Sequence, residues 1–362
     1  MANYLTTIKY AVFFFPLIAF LFTMPFILME YHKYGSISFL KSLITYLFVF
    51  YLICAYFLVI LPLPKISEVA RLTTPRIQLI PFCFVMDFLK HSSLDIGNIQ
   101  TYFVAMKESY FYVPLFNIIL TMPFGMFLRY YFKCNMKKTI LYSFLLSLFF
   151  ELTQLTGLYF IYPRGYRLFD IDDLLLNTFG GFLGFLFMKP FTYIIPNMDT
   201  INFKAREKGK TISGFRRTVA FLLDVFILCL IQLITILIIR DNIYLSVLIS
   251  ILYYFVVPLF LNTSTLGEKF LNIQVLDYRN QKNIRRLLLR KAIFVLFYIL
   301  IPAYTSYVIF SINDDYFREF IGLIVIGCFF LMYFITMMKY LFTNKDMLYE
   351  KISKTRLVST IQ

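Results

Sequence analysis

The sequence has no tryptophan, two histidines and five cysteines in 362 residues. With His32 and His91 as its only imidazoles, a histidine-rich metal centre is excluded. Cys54, Cys83, Cys134, Cys229 and Cys328 make no CxxC or other metal-ligand spacing. Four of them lie in or beside apolar runs, so they read as small membrane hydrophobes and not as a disulfide framework. Charge is scarce too, at 15% of residues, where soluble domains carry about 25%. The first apolar stretch is long and no small-residue cleavage site follows it. It reads as an uncleaved anchor, not a signal peptide.

What is present is apolar surface: 60% hydrophobic residues and a mean hydropathy of +0.74. No soluble domain could bury so much, so lipid must solvate it. The interfacial belt that Trp and Tyr usually share falls here to 28 tyrosines. The net charge of +15 would suggest nucleic acid in a soluble protein. The basic runs lack nucleic-acid motifs, however, and lie in short loops and the tail. They read as a positive-inside signal and an attraction to anionic membrane lipids.

A span needs about 20 apolar residues and must be helical. The expected class is therefore all-α, a polytopic helical membrane protein with about nine transmembrane helices. They fall at 10–29, 44–63, 111–130, 140–159, 174–195, 219–239, 243–261, 292–310 and 320–342. The apolar piece 79–89 is too short and reads as interfacial or re-entrant. The polar, basic stretch 197–217 divides a five-span bundle (1–196) from a four-span bundle (218–362), with no evident repeat between them.

Lysines and arginines cluster in 197–217, in 262–291 and in the tail. The positive-inside rule puts these segments and the C-terminus in the cytoplasm. The loop 162–173 is then extracellular, as are the long segment 64–110 and the N-terminus. The Arg240–Asp241 turn and the connection with Asp314, Asp315 and Glu319 also fall outside.

Polar residues at membrane depth are costly, and here they gather in the front bundle. Asn117 precedes Pro123 and Gly125. Glu151 and Gln154 lie three apart on one helix face, continued by Ser143 and Ser147. Arg167, Asp170, Asp172 and Asp173 follow, then Asn177, Gly180, Gly181 and Gly184. Gly180 and Gly184 have the spacing that lets helices approach closely. Asp172 or Asp173 can cap the fifth helix. Arg167 is expected to pair with Glu151 or an Asp, since an unpaired Glu there is expensive. The bland reading is caps, a packing seam and one charge pair; the sharper one is an outward-facing polar pocket.

The run Asn117…Pro123-Phe124-Gly125, Glu151-Leu152-Thr153-Gln154, Arg167-x-x-Asp170-x-Asp172-Asp173…Asn177-Thr178-x-Gly180-Gly181, with Pro81-Phe82 upstream, resembles the VanZ-like family over about residues 40–190. The family is named for a protein giving low-level resistance to teicoplanin, a lipid-tailed glycopeptide. The resemblance implies a cell-envelope membrane protein with a role in antibiotic response. Its pocket would be built from Asn117, Glu151, Gln154, Arg167, Asp170, Asp172, Asp173 and Asn177.

In the rear, Arg217 and Asp224 lie seven apart, two turns along one helix face. Asp224 either pairs with Arg217 or a neighbouring span, or relays a proton or cation. With Thr265-Leu266-Gly267-Glu268-Lys269, Ile273–Asp277, Leu289-Arg290 and a tail holding Asp346 and Lys354-Thr355-Arg356, this resembles the RDD family over about 210–360. The resemblance implies that Arg217, Asp224 and Asp346 are its namesake residues, and transport roles are suggested for some members.

Three functions remain. The first is an envelope protein that lowers the action of lipoglycopeptides, with a lipid-linked envelope precursor or the drug itself as partner. The second is a cation or small-molecule transporter using Asp224. The third is a membrane enzyme using Glu151 with an Asp of the motif as acid and base, although no nucleophile motif, nucleotide loop or histidine base is present. The residues imply no cofactor, no metal and no nucleic-acid partner.

Overall fold

With no water in the bilayer to satisfy exposed peptide groups, a chain this apolar must bond its backbone within helices. The computed structural model is built that way. It describes residues 2–239, 243–301 and 346–361, with scattered positions between 304 and 339. By packing, the chain forms two units: Met1–Phe22 with Phe39–Ile201, and Thr23–Ser38 with Asn202–Gln362. The division falls inside 197–217, and that stretch is itself largely helical.

The first unit contains the start of α1 (Ala2–Tyr34), α2 (Phe39–Ile60), α3 (Ile66–Ala70), β1 (Ile77–Gln78), α4 (Cys83–His91), α5 (Ile99–Ala105) and α6 (Ser109–Tyr130). It continues through α7 (Met136–Leu155), α8 (Gly157–Phe160), β2 (Phe169–Asp170) and α9 (Ile171–Phe191). Its centre is the packing of α9 against α6 and α7. At the glycines of the α6–α9 seam there is no room for a side chain. A Cβ on Gly180 would stand 2.2 Å from the Ile118 carbonyl, and one on Gly184 1.9 Å from that of Met122. The glycine spacing expected to permit close approach is used for that purpose.

The expected fourth span, 140–159, is shifted. α7 ends at Leu155, because Gly157 takes φ +62° and Leu158, Tyr159 and Phe160 follow in the left-handed region. The fifth begins earlier than expected, at Ile171, where Asp170 caps it, and closes soon after Pro190. The piece 79–89 becomes the nine-residue α4, about 13 Å long and unable to cross a bilayer. A short parallel pairing, Ile77 with Phe169 and Gln78 with Asp170, ties it to the motif loop.

That loop closes over the end of α2. The last carbonyls of a helix have no partner within it. Here Gln154 Nε2 and Arg167 Nη1 donate to the Val59 oxygen at 2.9 and 2.7 Å, Tyr166 Oη to Ile60 at 3.2 Å, and Arg167 Nη2 to Leu61 at 2.8 Å. Tyr162 and Tyr166 pack on Ile60, Val69 and Leu158 beneath.

The second unit takes the end of α1 and most of α10 (Met198–Gly209). To these it adds α11 (Gly214–Ile239), α12 (Ile243–Phe260), α13 (Leu266–Phe270), β3 (Ile273–Asp277), α14 (Ile284–Val295), a π-helical turn at Leu296–Leu300, α15 (Leu348–Ser353) and β4 (Thr355–Ser359). β3 and β4 pair antiparallel, Ile273 opposite Ser359 and Asp277 opposite Thr355. This small sheet was not expected. Tyr31, Ile212, Val219, Ala220, Leu271 and Ile273 form one core cluster. The buried Arg216 guanidinium joins the pieces, donating to Gly209 (2.7 Å), Leu271 (2.9 Å), Asn272 (2.9 Å) and Ser359 Oγ (3.2 Å).

Five described helical segments are long and apolar enough to cross a membrane: Val12–Tyr34, Phe39–Ile60, Ser109–Tyr130, Ile171–Phe191 and Gly214–Ile238; Leu245–Phe260 is apolar but shorter. α7 has the length, with 20 residues, but carries Lys137, Lys138 and Glu151 and a buried polar face. The chain is thus a multi-pass helical membrane protein. Parts of the expected spans 292–310 and 320–342 lie outside the described residues, as do the Arg240–Asp241 turn, the Asp314–Asp315–Glu319 connection and Lys345.

Candidate functional site

The front site is built on the turn that starts α9. Asp170 is extended immediately before the helix, so its Oδ1 can fold over and accept the Asp172 amide at 2.9 Å. It is the cap, in place of the expected Asp172 or Asp173. Asp172 is buried and faces away from its own helix. Its Oδ1 accepts the Phe82 amide at 2.6 Å and its Oδ2 the Phe84 amide at 3.0 Å. It therefore supplies the acceptor that α4 lacks, since Phe82 at the start of α4 offers no side-chain cap.

Asp173, half buried, accepts from Asn117 Nδ2 of α6 at 2.5 Å. Glu151 Oε2 of α7 accepts the Asp170 amide at 3.0 Å. Deeper in, Ser147 Oγ donates to the Asp173 carbonyl (3.2 Å), Asn177 Nδ2 to Ser147 Oγ (3.0 Å) and Thr121 Oγ1 to the Asn177 carbonyl (2.8 Å). The structure thus brings Asn117, Glu151, Asp170, Asp173 and Asn177 into one network across α6, α7 and α9. Gln154 and Arg167 belong to the clamp on α2.

The expected Glu151–Arg167 ion pair does not form. Arg167 is held by the Val59 and Leu61 carbonyls, which its planar fork reaches together, and Glu151 is satisfied by a backbone amide. Asp170 lies just outside the span. Burial raises its carboxyl pKa above the ordinary range and the neighbouring Asp172 and Asp87 add to this, against the pull of the Asp172 amide. The carboxylates do not converge on a point: among the described residues no three of His, Cys, Asp or Glu group as a metal site. They offer hydrogen-bond acceptors along a surface. Thr139, missed from sequence, extends the buried face of Ser143, Ser147 and Glu151 at four-residue intervals. Ser143 Oγ and Asn177 Oδ1 are buried there without a protein partner.

In the rear unit Asp224 does not pair with Arg217. Its Oδ1 accepts from Tyr253 Oη (2.5 Å) and the Gly267 amide (2.7 Å), and its Oδ2 from Thr265 Oγ1 (2.6 Å). It thus holds the first turn of α13. Arg217 Nη1 lies 3.4 Å from Glu350, which Arg290 Nη2 also contacts at 3.0 Å, and Lys291 Nζ is 3.3 Å from Glu268. Burial alone would raise the Glu268 carboxyl, but Lys291 and Arg290 hold it below its ordinary value. Arg217 and Asp224 line one cavity. Asp346 stands apart, its carboxylate 3.4 Å from Tyr278 Oη. Glu350, four residues further on, takes the place beside Arg217. No sequence rule singles it out, because its partners lie 60 and 133 residues away.

A family model described as VanZ/LLP1 matches residues 48–195, and one described as the RDD family matches residues 213–348. No curated protein and no solved structure matches the chain.

Proposed function

We propose that this chain, in which a VanZ-like part is joined to an RDD-family part, lowers the susceptibility of its cell to lipoglycopeptides such as teicoplanin through the polar surface at the start of α9. The observation that carries the reading is the turn Asp170–Asp173 with Asn117 and Glu151. It is an acceptor-rich patch where the start of α9 meets the last turns of α7 and the third turn of α6, with Asn117, Asp170 and Asp173 partly exposed and Glu151 and Asp172 buried. A drug or envelope precursor anchored by a lipid tail would be delivered to such a patch in the plane of the membrane. A glycopeptide without the tail, such as vancomycin, would not.

The test is expression in a teicoplanin-susceptible strain. The parent chain raises tolerance to teicoplanin more than to vancomycin. Glu151→Ala and Asp173→Ala lose that effect while a tag shows normal abundance. Normal protection by both variants would reduce the patch to scaffolding.

The reading needs the motif loop outside and α10 inside. Cysteine probes belong at exposed positions, Ile161 and Glu207, in a background with the native cysteines replaced. Gly165 and Gly209 are unsuitable, since a Cβ there would stand 2.8 Å from the Leu155 carbonyl and 1.9 Å from the Tyr34 carbonyl. An impermeant maleimide labels Ile161→Cys in intact cells and spares Glu207→Cys; the reverse pattern moves the patch to the cytoplasm and defeats the proposal.

A further inference from the structure

The rear unit holds a cavity of about 330 Å³ lined by α11, α12, α13, α14, α15 and the two strands, with Phe334 and Thr336. Small-molecule sites run from ~300 to 1,000 Å³ and are mostly apolar, with a few placed polar groups. This one fits that description: Phe221, Tyr254, Phe294 and Leu357 supply apolar wall, and charged groups line another part of it.

Three cations, Arg217, Arg290 and Lys291, face three carboxylates, Glu268, Glu350 and Asp224, but they are not all paired one to one. Lys291 and Glu268 match one to one. Glu350 serves two guanidinium groups, Arg290 at 3.0 Å and Arg217 at 3.4 Å, which leaves one positive charge over at this end of the cavity, its balance lying two turns along α11 on Asp224. Arg217 has the longer contact, is only 9% exposed, and its Nε is buried without an acceptor. Asp224, the remaining carboxylate of the wall, is engaged by Tyr253, Thr265 and Gly267. A guanidinium N–H only donates. The two guanidinium groups that share Glu350 make this end of the cavity locally positive, which favours an anionic oxygen acceptor there.

We propose that the cavity binds an amphiphile with a carboxylate or phosphate head and a compact apolar body. The head sits on Arg217 beside Arg290, and the body lies along Phe221 and Phe294. This goes beyond the reading of the front part and does not rest on it. The head chemistry is shared by free fatty acids and by lipid phosphates.

The full chain in phosphatidylcholine nanodiscs is titrated with decanoate, decyl phosphate, decanol and decyltrimethylammonium, and binding is read by thermal stability and native mass spectrometry. The expected result is a saturable one-to-one complex with decanoate, decyl phosphate or both, and none with the neutral or cationic probe. Decanoate alone assigns a fatty acid; decyl phosphate alone assigns a lipid phosphate. Arg217→Gln weakens binding about tenfold, the size of one lost charge-assisted hydrogen bond. Because that variant also disturbs Glu350, Leu357→Trp provides a second test: it fills the apolar part, keeps every charged group, and abolishes binding. Equal binding of decanol or decyltrimethylammonium by the parent chain overturns the proposal. So does unchanged affinity in a folded Leu357→Trp protein.

Discussion

Asp172 holds the backbone amide of Phe82 at 2.6 Å across 90 residues of sequence. With Phe84 as its second donor, this carboxylate fixes the start of a helix that has no fully buried residue. Asp172→Ala leaves two amides without their acceptor, at about 1–3 kcal/mol for each that water does not reach. The expected outcome is new proteolytic cleavage within Cys83–His91, with α9 still protected. Asp172→Asn keeps one acceptor oxygen and gives a milder change. Unaltered cleavage in both would show that α4 is held by other means.

The clamp on α2 distinguishes arginine from lysine. Arg167 reaches two carbonyls, Val59 and Leu61, at once. Lys at this position can approach only as a point charge, so Arg167→Lys should cost about 1–3 kcal/mol in a detergent unfolding titration. Exchanging the charges, Glu151→Arg with Arg167→Glu, should not restore stability, since the two side chains are not partners. Restoration would mean that they pair in the membrane.

Gly181 and Ser143 form the tightest junction of α9 with α7, where an added Cβ would stand 1.9 Å from Ser143 Oγ and 2.5 Å from its Cβ. Gly181→Ala therefore overpacks the seam, at about 1–3 kcal/mol. Ser143→Gly in the same chain removes both clashing atoms and recovers part of the loss, whereas Ser143→Ala leaves the Cβ clash. Thermal inactivation of the three proteins ranks them; a fully stable Gly181→Ala protein contradicts the packing described.

Acid should loosen the end of the β3–β4 pair at Asp277. The Gln281 amide holds the Asp277 carboxyl below its ordinary value, and Arg279 and Arg286 act in the same direction. A lowered folded-state pKa stabilises above the unfolded value, about 3.9, and that contribution disappears as pH falls through the folded value. Hydrogen exchange over residues 273–281, taken relative to the intrinsic amide rate at each pH, should accelerate below about pH 4 in the parent chain. In Asp277→Asn it should already be fast, with little further change on acidification. Identical pH profiles would sink this assignment.

The front site was legible because membrane depth makes polarity conspicuous. Asn117, Glu151, Asp173 and Asn177 stand in or beside apolar runs, and Asp173 and Asn177, four apart, share a face by the helical period alone. Which group each one meets was not legible. The partners of Asp172 and Arg167 are backbone amides and carbonyls, which carry no residue identity in a sequence. In the rear part, Ile273 and Val275 alternate with Gln274 and Leu276, a two-residue period overshadowed by the basic residues around it. Glu350 and Tyr253 stayed hidden for another reason. Each is ordinary in its own segment and gains its meaning only from a contact made across the fold.

The rear unit includes Thr23–Ser38, at the end of the first helix. Asn272 Nδ2 donates to the His32 carbonyl at 2.6 Å over 240 residues. At about 5–20 residues per second, the ribosome releases His32 roughly 10–50 s before its partner exists. Through that interval the end of α1 sits in the membrane with its later neighbours still unmade. The gene carries the same dependence: a cut between the two family segments would leave the second without the stretch that completes its core. A split version of this protein should assemble only when both pieces are produced in the same cell.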